Sequence, residues 1–338
     1  MHKFYDGTRL LSMMDADGEK PEIYMCTDYR STGKTTFFIR MLLKRFINKK
    51  EKFVYLVRFN VDVPSAYQII GKVASDFFDN VTITGCVKDQ FWGQIQLNNE
   101  VCGYVLPLNA YDKIKPRSAI FSDATSMILD EFQSESNHYV PNEMRAIDSV
   151  HTSLARCKNK SVKYMPLYLL SNHVTMLNPY YTLFGIRNLH EKTRYMKGHG
   201  WVLEQLFTEE IAKTAKTSGF RKAFESSDYS AMFEHRYLMD DVAYIVPQVK
   251  DKKYSISLHY KNQNYGVWET VDGYYVSHEY DESYPIRYTI ESTGIMPNSS
   301  FIKKSPVMVE LLRNNFRNGN IIFDSLDAKD CLMSAITY

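Results

Sequence analysis

The stretch Pro21–Thr36, PEIYMCTDYRSTGKTT, decides the fold of this chain. Its first half, Glu22–Cys26, is strand-like, and its second half closes on Gly33-Lys34-Thr35 before apolar residues recur at helical spacing up to Ile47. A strand, a tight polar loop and a helix in this order are typical of a phosphate-binding loop, whose backbone N–H groups point at phosphate oxygens. In such a loop the lysine reaches the β- and γ-phosphates and the hydroxyl residue binds Mg²⁺. The stretch therefore predicts a site for ATP and Mg²⁺.

One position departs from the usual pattern G-x-x-x-x-G-K-[ST], because Asp28 stands where the first glycine is expected. The loop must then enter through a different conformation or a more open turn. A bare G-K-T tripeptide arises often by chance, so the prediction depends on the strand and helix around it. We assign the nucleotide contacts in this loop to Arg30, Ser31, Thr32, Gly33, Lys34, Thr35 and Thr36.

Length and composition indicate a globular protein of two domains. The chain has 338 residues, of which 44% are hydrophobic and 24% charged, and single cores stop growing at roughly 250–300 residues. The net charge of +2 says nothing about where the 41 Lys and Arg lie, so any DNA contact must be local. Five dispersed cysteines, no apolar run of membrane length and no signal peptide predict a protein of a reducing cytoplasm.

The first half of the chain alternates between helix and strand patterns, which favours an α/β domain with a parallel central sheet. The first 20 residues are polar and predict a loosely held arm. The other predicted elements are a buried strand at Phe53–Phe59, a helix at Pro64–Phe78 and an antiparallel meander at Val81–Leu106 that turns at Asn98-Asn99.

A second informative stretch, Ser126–Phe132, is an apolar strand ending in Asp130 and Glu131. Carboxylates at the C-terminal end of a parallel strand lie where such sheets bind ligands. Asp130 could hold Mg²⁺, and Glu131 could polarise a water for attack on the γ-phosphate. The alternative is that Asp130 caps the next helix and Glu131 is solvated. The phosphate loop upstream favours the catalytic interpretation.

Two further elements follow the acidic strand. Pro141–Arg156 predicts a helix with proline in its first turn, and Val162–Leu170 predicts a strand that ends in Ser171-Asn172. Those two polar residues could sense the γ-phosphate, although a plain turn explains them equally well. Pro166 inside the run predicts a bulge or an edge strand.

These residues together resemble the genome-packaging ATPase of phi29-like short-tailed bacteriophages, a compact relative of the large terminases. The resemblance extends in order through Pro21–Gly185 and more weakly to the C-terminus. It is carried by Tyr29–Thr35, Ile128–Phe132, Asn137–Glu143, Leu170–Asn172, Asn178–Tyr181 and Tyr265–Trp268.

The resemblance implies a P-loop NTPase fold of the additional-strand, catalytic-glutamate type. It implies that Lys34 and Thr35 bind phosphate and Mg²⁺ and that Asp130 coordinates the metal through water. It also implies that Glu131 is the catalytic carboxylate. Arg156 aligns with the trans-acting arginine finger, with Arg30 as the alternative acting in cis. The implied assembly is a homomeric ring, expected to be a pentamer, around double-stranded DNA on the portal of a procapsid. Whether a structural RNA mediates docking stays open.

The hydrophobic pattern changes from helical to strand-like after a helical linker, which is predicted at 208–228 with a joint at Thr217–Gly219. Residues 229–338 alternate with a period of two, as hairpins do, and include predicted strands at Val242–Val246 and Tyr254–Tyr260. The resemblance implies a ribonuclease-H-like nuclease domain here, but the strand Tyr254–Tyr260 contains no carboxylate. Asp272, Asp281 and Glu282 lie in turn-like positions, so we expect a vestigial nuclease used for docking or DNA contact.

We therefore expect an ATP-driven double-stranded DNA translocase with an ATPase domain at 1–207, which packages a viral genome. A P-loop helicase and a non-hydrolysing DNA-binding or portal adaptor are the alternatives. His190 and His199 have no Cys or carboxylate at ligand spacing, so no zinc site is expected. Lys113, Lys115 and Arg117 could face DNA phosphates, although a short basic run is more often a solvated surface.

Overall fold

The computed structural model describes residues 4–136, 138–156, 162–186, 189, 193–207, 244–291 and 297–336. The chain divides into two compact units, residues 1–184 with 190–239 and residues 185–189 with 240–338. The predicted linker at 208–228 lies outside the described residues, so the boundaries at 207 and 229 stay a prediction.

The first unit is built on a nine-stranded sheet of order β3-β4-β5-β2-β6-β7-β1-β9-β8. Its six central strands, β5 to β9 in that order, are all parallel, and the pairs at both edges are antiparallel. Strand β7 lies between β1 and β6, which is the additional strand that the resemblance implies. The strands are β1 (Ile23–Thr27), β2 (Lys52–Val57), β3 (Ile83–Lys88), β4 (Trp92–Leu97), β5 (Glu100–Pro107), β6 (Ala124–Asp130), β7 (Leu167–Ser171), β8 (Tyr195–Gly198) and β9 (Trp201–Gln205).

Six described helices accompany this sheet. The longest, α2, begins directly after the phosphate loop and buries apolar side chains such as Phe38, Leu42 and Phe46, while Lys50 ends it in a left-handed conformation. The helices are α1 (Thr8–Leu11), α2 (Lys34–Lys49), α3 (Val63–Phe77), α4 (Tyr111–Ile114), α5 (Glu143–Ala155) and α6 (Pro179–Phe184). No helix among the described residues is long and apolar enough to cross a membrane.

The predicted meander is confirmed in β3, β4 and β5, which pair antiparallel in succession. Asn98 and Asn99 turn between β4 and β5 with φ of 49° and 68°. Two consecutive residues of positive φ are what a two-residue hairpin of matching twist requires, and asparagine tolerates that conformation.

Two expectations for the first unit were wrong. Pro166 precedes β7 instead of interrupting it, so β7 is neither bulged nor an edge strand. The N-terminal arm is held firmly from Tyr5 to Asp15, because Tyr5, Leu10 and Asp15 are buried. The Tyr5 hydroxyl donates to Glu204 Oε2 at 2.9 Å, a contact between residues too distant in sequence for local patterns to reveal.

The second unit contains a six-stranded sheet of order β14-β13-β10-β11-β12-β15. Strands β10, β11 and β12 form consecutive hairpins, whereas β13 pairs parallel to β10 and β14 parallel to β13. The expectation of hairpins throughout was therefore wrong at β13. The elements are β10 (Lys253–Tyr260), β11 (Gln263–Thr270), β12 (Gly273–Ser277), β13 (Arg287–Thr289), β14 (Ser300–Phe301), α7 (Pro306–Arg317), β15 (Ile321–Phe323) and α8 (Leu326–Ile336).

The predicted strand at Val242–Val246 falls partly outside the described residues. Within its described part, Ile245 forms a single parallel bridge with Phe323. Strands β13 and β14 lie parallel beside β10, the first of three antiparallel strands, as expected of a ribonuclease-H-like sheet, and β15 adds a sixth strand parallel to β12 at the other edge.

Candidate nucleotide-binding site

The phosphate loop occupies the six residues between the end of β1 at Thr27 and the start of α2 at Lys34. Ser31 and Gly33 have φ of 64° and 94°, so the left-handed conformations fall at these two positions. A Cβ on Gly33 would also lie 3.2 Å from the ring of Phe4. Asp28 is not among the residues of positive φ, which explains why the loop needs no glycine there.

The ammonium of Lys34 lies within the curve of this loop. Its Nζ donates to Asp28 O at 3.0 Å, Tyr29 O at 2.8 Å and Thr32 Oγ1 at 3.3 Å. Asn172 Oδ1 lies 3.5 Å from the same Nζ. Burial lowers the pKa of Lys34. The lysine is thus placed where phosphate oxygens would meet the loop, and Asn172 lies beside it.

The hydroxyl of Thr35 and the carboxylate of Asp130 meet at the same edge of the sheet, with Thr35 Oγ1 donating to Asp130 Oδ2 at 2.8 Å. Burial raises the pKa of Asp130 to about 6, and the hydrogen bond from Thr35 opposes that shift. A hydroxyl and a carboxylate are oxygen ligands of the kind that Mg²⁺ prefers. These two residues therefore fit the predicted metal site.

Glu131 follows Asp130 and has an exposed side chain on a constrained backbone. Its φ is 56°, a left-handed value that is uncommon for glutamate. Arg58 Nη1 donates to its carbonyl at 2.8 Å, and Arg58 Nη2 donates to Phe132 O at 2.6 Å. The backbone is fixed while the carboxylate extends into solvent beside Asp130, which suits a group that orients water.

Arg58 contacts the loop that carries Glu131, and the sequence analysis did not identify it. It directly follows β2, and its Nε donates to Glu143 Oε2 at 3.0 Å. Glu143 is almost fully buried, and it also accepts from Tyr180 Oη at 2.5 Å and Val140 N at 2.9 Å. In the sequence, the feature that could have pointed to Arg58 is its place as a single arginine at the end of an apolar strand. Its partner lies 85 residues away in sequence.

The two candidate arginine fingers occupy different places. Arg30, on the phosphate loop, forms a half-exposed ion pair with Glu135 in the loop after Glu131. Arg156 lies just beyond the C-terminal end of α5, is exposed, and pairs through its backbone with Val162. At 1.5 Å per residue, α5 separates Arg156 from Glu143 by about 20 Å. The structure therefore does not bring Arg156 to the site of its own chain.

The remaining polar residues of the prediction divide between the loop and the end of β7. Thr36 lies in the first turn of α2 and is partly buried. Ser171 is buried, and its Oγ accepts from Gln133 N at 3.2 Å. Ser171 thus contacts the loop that carries Glu131, whereas its neighbour Asn172 contacts Lys34.

Several charged residues outside the site have local partners. Arg117 forms an ion pair with Asp89 at 3.1 Å and lies over the Phe91 ring, so the basic run is partly neutralised. His199 pairs with Asp17 at 2.9 Å, a carboxylate 182 residues away in the sequence. His190 lies outside the described residues. Across the parts of the chain that are described, no cluster of three or more His, Cys, Asp or Glu could hold a metal.

Comparison with known proteins identifies the family. The model for the podovirus DNA encapsidation protein (Gp16) matches residues 4–335. The DNA packaging proteins of Bacillus phages phi29 and PZA are each 23% identical to this chain over 303 residues, which cover 88% of this chain and 87% of each relative. A chain of the bacteriophage phi29 genome packaging motor assembly has the same fold, with a TM-score of 0.71, 20% identity, and coverage of 98% of this chain and 99% of that chain. The chain therefore belongs to the podovirus DNA encapsidation (Gp16) family of DNA packaging proteins.

Proposed function

We propose that this chain hydrolyses ATP and uses the free energy to move double-stranded DNA into a viral procapsid. The proposal depends on one observation: four residues lie together at one edge of the parallel sheet. They are Lys34, Thr35, Asp130 and Glu131, and Thr35 is hydrogen-bonded to Asp130. We infer that the moved substrate is DNA because the chain belongs to a DNA packaging family.

The chemistry assigned to each residue follows from its surroundings. Lys34 would bind the β- and γ-phosphate oxygens, and its buried position strengthens that attraction because water screens it less. Thr35 and Asp130 would hold Mg²⁺, which when bound neutralises charge on the phosphates. Glu131 would orient and polarise the attacking water. Arg30 or Arg156 would stabilise the charge that develops in the transition state.

An open cavity of about 740 Å³ lies along the N-terminal arm, and we propose that it receives the nucleoside. Tyr5 N donates to Thr32 O at 2.9 Å, and Phe4 lies against Gly33, so the N-terminal arm forms one wall of this cavity. The lining residues are Phe4, Tyr5, Asp6, Thr8, Arg9, Ser12, Arg194 and Leu206.

The position of Arg156 supports assembly into a ring. An arginine that lies about 20 Å along α5 from the Glu131 loop reaches a nucleotide only on a neighbouring copy. We propose a homomeric ring, expected to be a pentamer, around DNA on the procapsid portal in the host cytoplasm. A structural RNA is an open alternative for the docking element. The relative of known structure belongs to a packaging motor assembly.

The second unit is proposed to serve docking or DNA contact without nuclease chemistry. Its central strand β10, KYSISLHY, carries no carboxylate. Asp272, Asp281 and Glu282 are exposed in turns, away from the strand interior where a two-metal site needs them.

The test is phosphate release from ATP by the purified chain, with and without double-stranded DNA. We expect turnover in the parent and its loss in Lys34→Ala. Lys44→Ala, which removes an exposed lysine from the same helix, is the matched control and should behave as the parent. Equal turnover in Lys34→Ala would contradict the proposal. Strand separation would indicate the helicase alternative, and binding of ATP and DNA without turnover would indicate the adaptor.

A further inference from the structure

Gln133 lies two residues after Glu131 and has only 1% of its surface exposed. A polar side chain buried to this degree normally makes hydrogen bonds inside the protein. Its Oε1 accepts from the backbone N–H groups of Val174 and Thr175, each at 3.0 Å. Its own N–H donates to Ser171 Oγ at 3.2 Å. Gln133 therefore ties the loop after β6 to the loop after β7.

The loop that Gln133 holds is the one that contacts the phosphate-binding lysine. Asn172 Oδ1 lies 3.5 Å from Lys34 Nζ, only two residues before Val174. On the other side, Ser171 O accepts from Asp28 N at 3.3 Å. A displacement of Asn172 therefore moves backbone that is bonded directly to the Gln133 amide.

The amide is used as an acceptor. Two backbone donors fill the capacity of Oε1, whereas Nε2 is buried and has no hydrogen-bond partner within the described ranges. If the side-chain amide rotated so that Nε2 and Oε1 exchanged places, the N–H groups of Val174 and Thr175 would face another donor. Both hydrogen bonds would then be lost. What the position requires is a side chain of this length that ends in a hydrogen-bond acceptor.

The segment between Glu131 and Gln133 has little freedom to absorb a movement. Arg58 holds the carbonyls of Glu131 and Phe132, and Phe132 N donates to Leu170 O at 3.0 Å. Because Phe132 N is bonded to the end of β7, a movement of that end that shifts Gln133 would also shift this segment and change where the exposed Glu131 carboxylate points. Displacements of about 1 Å in a catalytic group can cost on the order of 100-fold in rate.

We propose that Asn172 contacts the γ-phosphate and that Gln133 is a positioning residue, which couples this contact to the orientation of the Glu131 carboxylate. The inference rests on the proposed ATPase function. In this arrangement the hydrolysing position of Glu131 is reached only when the loop after β7 is seated against the phosphate, so ATP and ADP are distinguished by one chain of hydrogen bonds.

The first experiment compares Gln133→Met, which keeps the length and removes the acceptor, with Gln133→Glu, which keeps an acceptor. In Gln133→Met we expect single-turnover ATP cleavage to fall on the order of 10–100-fold while ATP affinity stays within about threefold. Gln133→Glu should recover most of the rate. Ile70→Ala, a buried truncation in α3 away from these loops, controls for lost stability and should lower the melting temperature without changing the rate.

A double-mutant cycle with Asn172→Ala separates coupling from a purely structural role. If Gln133 acts through Asn172, the double variant is little slower than the slower single variant, because both remove one pathway. Multiplicative losses would overturn the proposal, as would a Gln133→Met variant that loses stability and keeps its rate.

Hydrogen exchange on the unmodified chain tests the proposal even if Gln133→Met does not fold. The amides of Val174 and Thr175 should be better protected with ATPγS and Mg²⁺ than with ADP and Mg²⁺. Equal protection in both states would overturn the coupling. Failure of the parent chain to hydrolyse ATP would instead contradict the proposed function.

Discussion

Thr35 Oγ1 donates a 2.8 Å hydrogen bond to Asp130 Oδ2, and this bond joins the first turn of α2 to the end of β6. The phosphate loop and the acidic strand are 95 residues apart in sequence. Because Glu131 directly follows Asp130, the same contact sets its distance from the phosphate loop. Under the proposed function, Asp130 would bind the metal and Glu131 would orient the water.

The first prediction concerns Glu131→Gln. The amide keeps the size of the side chain and loses the charge that polarises water, so ATP binding should persist while hydrolysis falls by about 10²–10⁴-fold. Nucleotide affinity is measured with a fluorescent ATP analogue and hydrolysis by phosphate release.

Glu100→Gln is the matched control, because Glu100 is an exposed carboxylate at the start of β5 that pairs with Lys50. It should hydrolyse ATP as the parent does. A Glu131→Gln variant that keeps turnover within a few-fold of the parent would show that another group activates the water.

The second prediction concerns the ion pair of Arg58 with Glu143, whose side chains are 12% and 1% exposed. Arg58→Met leaves the Glu143 carboxylate buried without its cation, so the first unit should lose about 3–5 kcal/mol of unfolding free energy. ATP turnover should fall as well, because the Glu131 carbonyl loses its donor. Urea unfolding, followed by fluorescence in a background that keeps Trp92 alone, measures the loss.

Adding Glu143→Gln to Arg58→Met removes the uncompensated charge and should restore part of the stability, but not the turnover. Stability that is unchanged in Arg58→Met would mean that Glu143 is held by Tyr180 and Val140 without help from the arginine.

The parts of the site that the sequence predicts are those carried by short contiguous segments. Asp130 and Glu131 lie at the end of an apolar strand, and Lys34 and Thr35 begin the helix after the loop that follows another. The parallel sheet alone brings these strand ends to one edge. The strand β7 places Asn172 there for the same reason.

The residues that the sequence does not reveal act through tertiary hydrogen bonds. Gln133 and Arg58 contact loops that are 41 and 73 residues away, and neither contact leaves a periodic signal. The arm was misjudged because its polar residues outnumber Tyr5 and Leu10, which anchor it in the core. Hydrophobic periodicity in the sequence indicates which face of a helix or strand is buried. These contacts instead depend on which loops are neighbours in the folded chain.

The third prediction is a pH dependence in the second unit, where His278 bridges two carboxylates. Its Nδ1 lies 3.0 Å from Asp324 Oδ2 and its Nε2 lies 2.7 Å from Asp327 Oδ2, while Tyr265 and Ser325 face the ring without a full charge. Burial alone would lower the pKa of His278, but the hydrogen bonds to both aspartates outweigh it and raise the pKa to about 9.

A raised folded-state pKa means that this stabilisation is fully present below pH 6.5 and is lost as pH rises from 6.5 to about 9. The contribution is at most about 3 kcal/mol. Urea unfolding of the second unit, followed through Trp268 as the sole tryptophan, should show this slope in the parent and not in His278→Gln. A His278 pKa below 7 in an NMR titration would contradict the assignment.

The fourth prediction is that the purified chain leaves plasmid DNA uncut in the presence of Mg²⁺ or Mn²⁺. Two-metal cleavage needs carboxylates that converge from central strands, and β10 offers none. Gel electrophoresis of the plasmid after incubation measures the outcome. Metal-dependent cutting that survives purification and disappears in Asp272→Asn or Asp281→Asn would show that these turn residues form a site.

The fifth prediction is that Arg156 acts on the nucleotide of a neighbouring copy. It lies at the far end of α5 from the Glu131 loop, so its own chain cannot use it, whereas Arg30 already lies on the phosphate loop. Arginine fingers contribute on the order of 10³–10⁵ in rate. Arg156→Ala should therefore lower turnover far more than nucleotide affinity, as measured by phosphate release and by binding of a fluorescent ATP analogue. Arg145→Ala, an exposed arginine near the start of the same helix, is the control.

Mixing variants distinguishes action in trans from action in cis. Equal amounts of Arg156→Ala and Lys34→Ala chains should recover some ATPase activity in a ring, because a chain with an intact phosphate loop can receive Arg156 from its Lys34→Ala neighbour. Neither variant alone has such a junction. If rings form and the mixture stays inactive, while Arg30→Ala alone removes catalysis without weakening binding, then the charge that stabilises the transition state comes from Arg30 in cis. The half-exposed pair of Arg30 with Glu135 would then have to open when ATP binds.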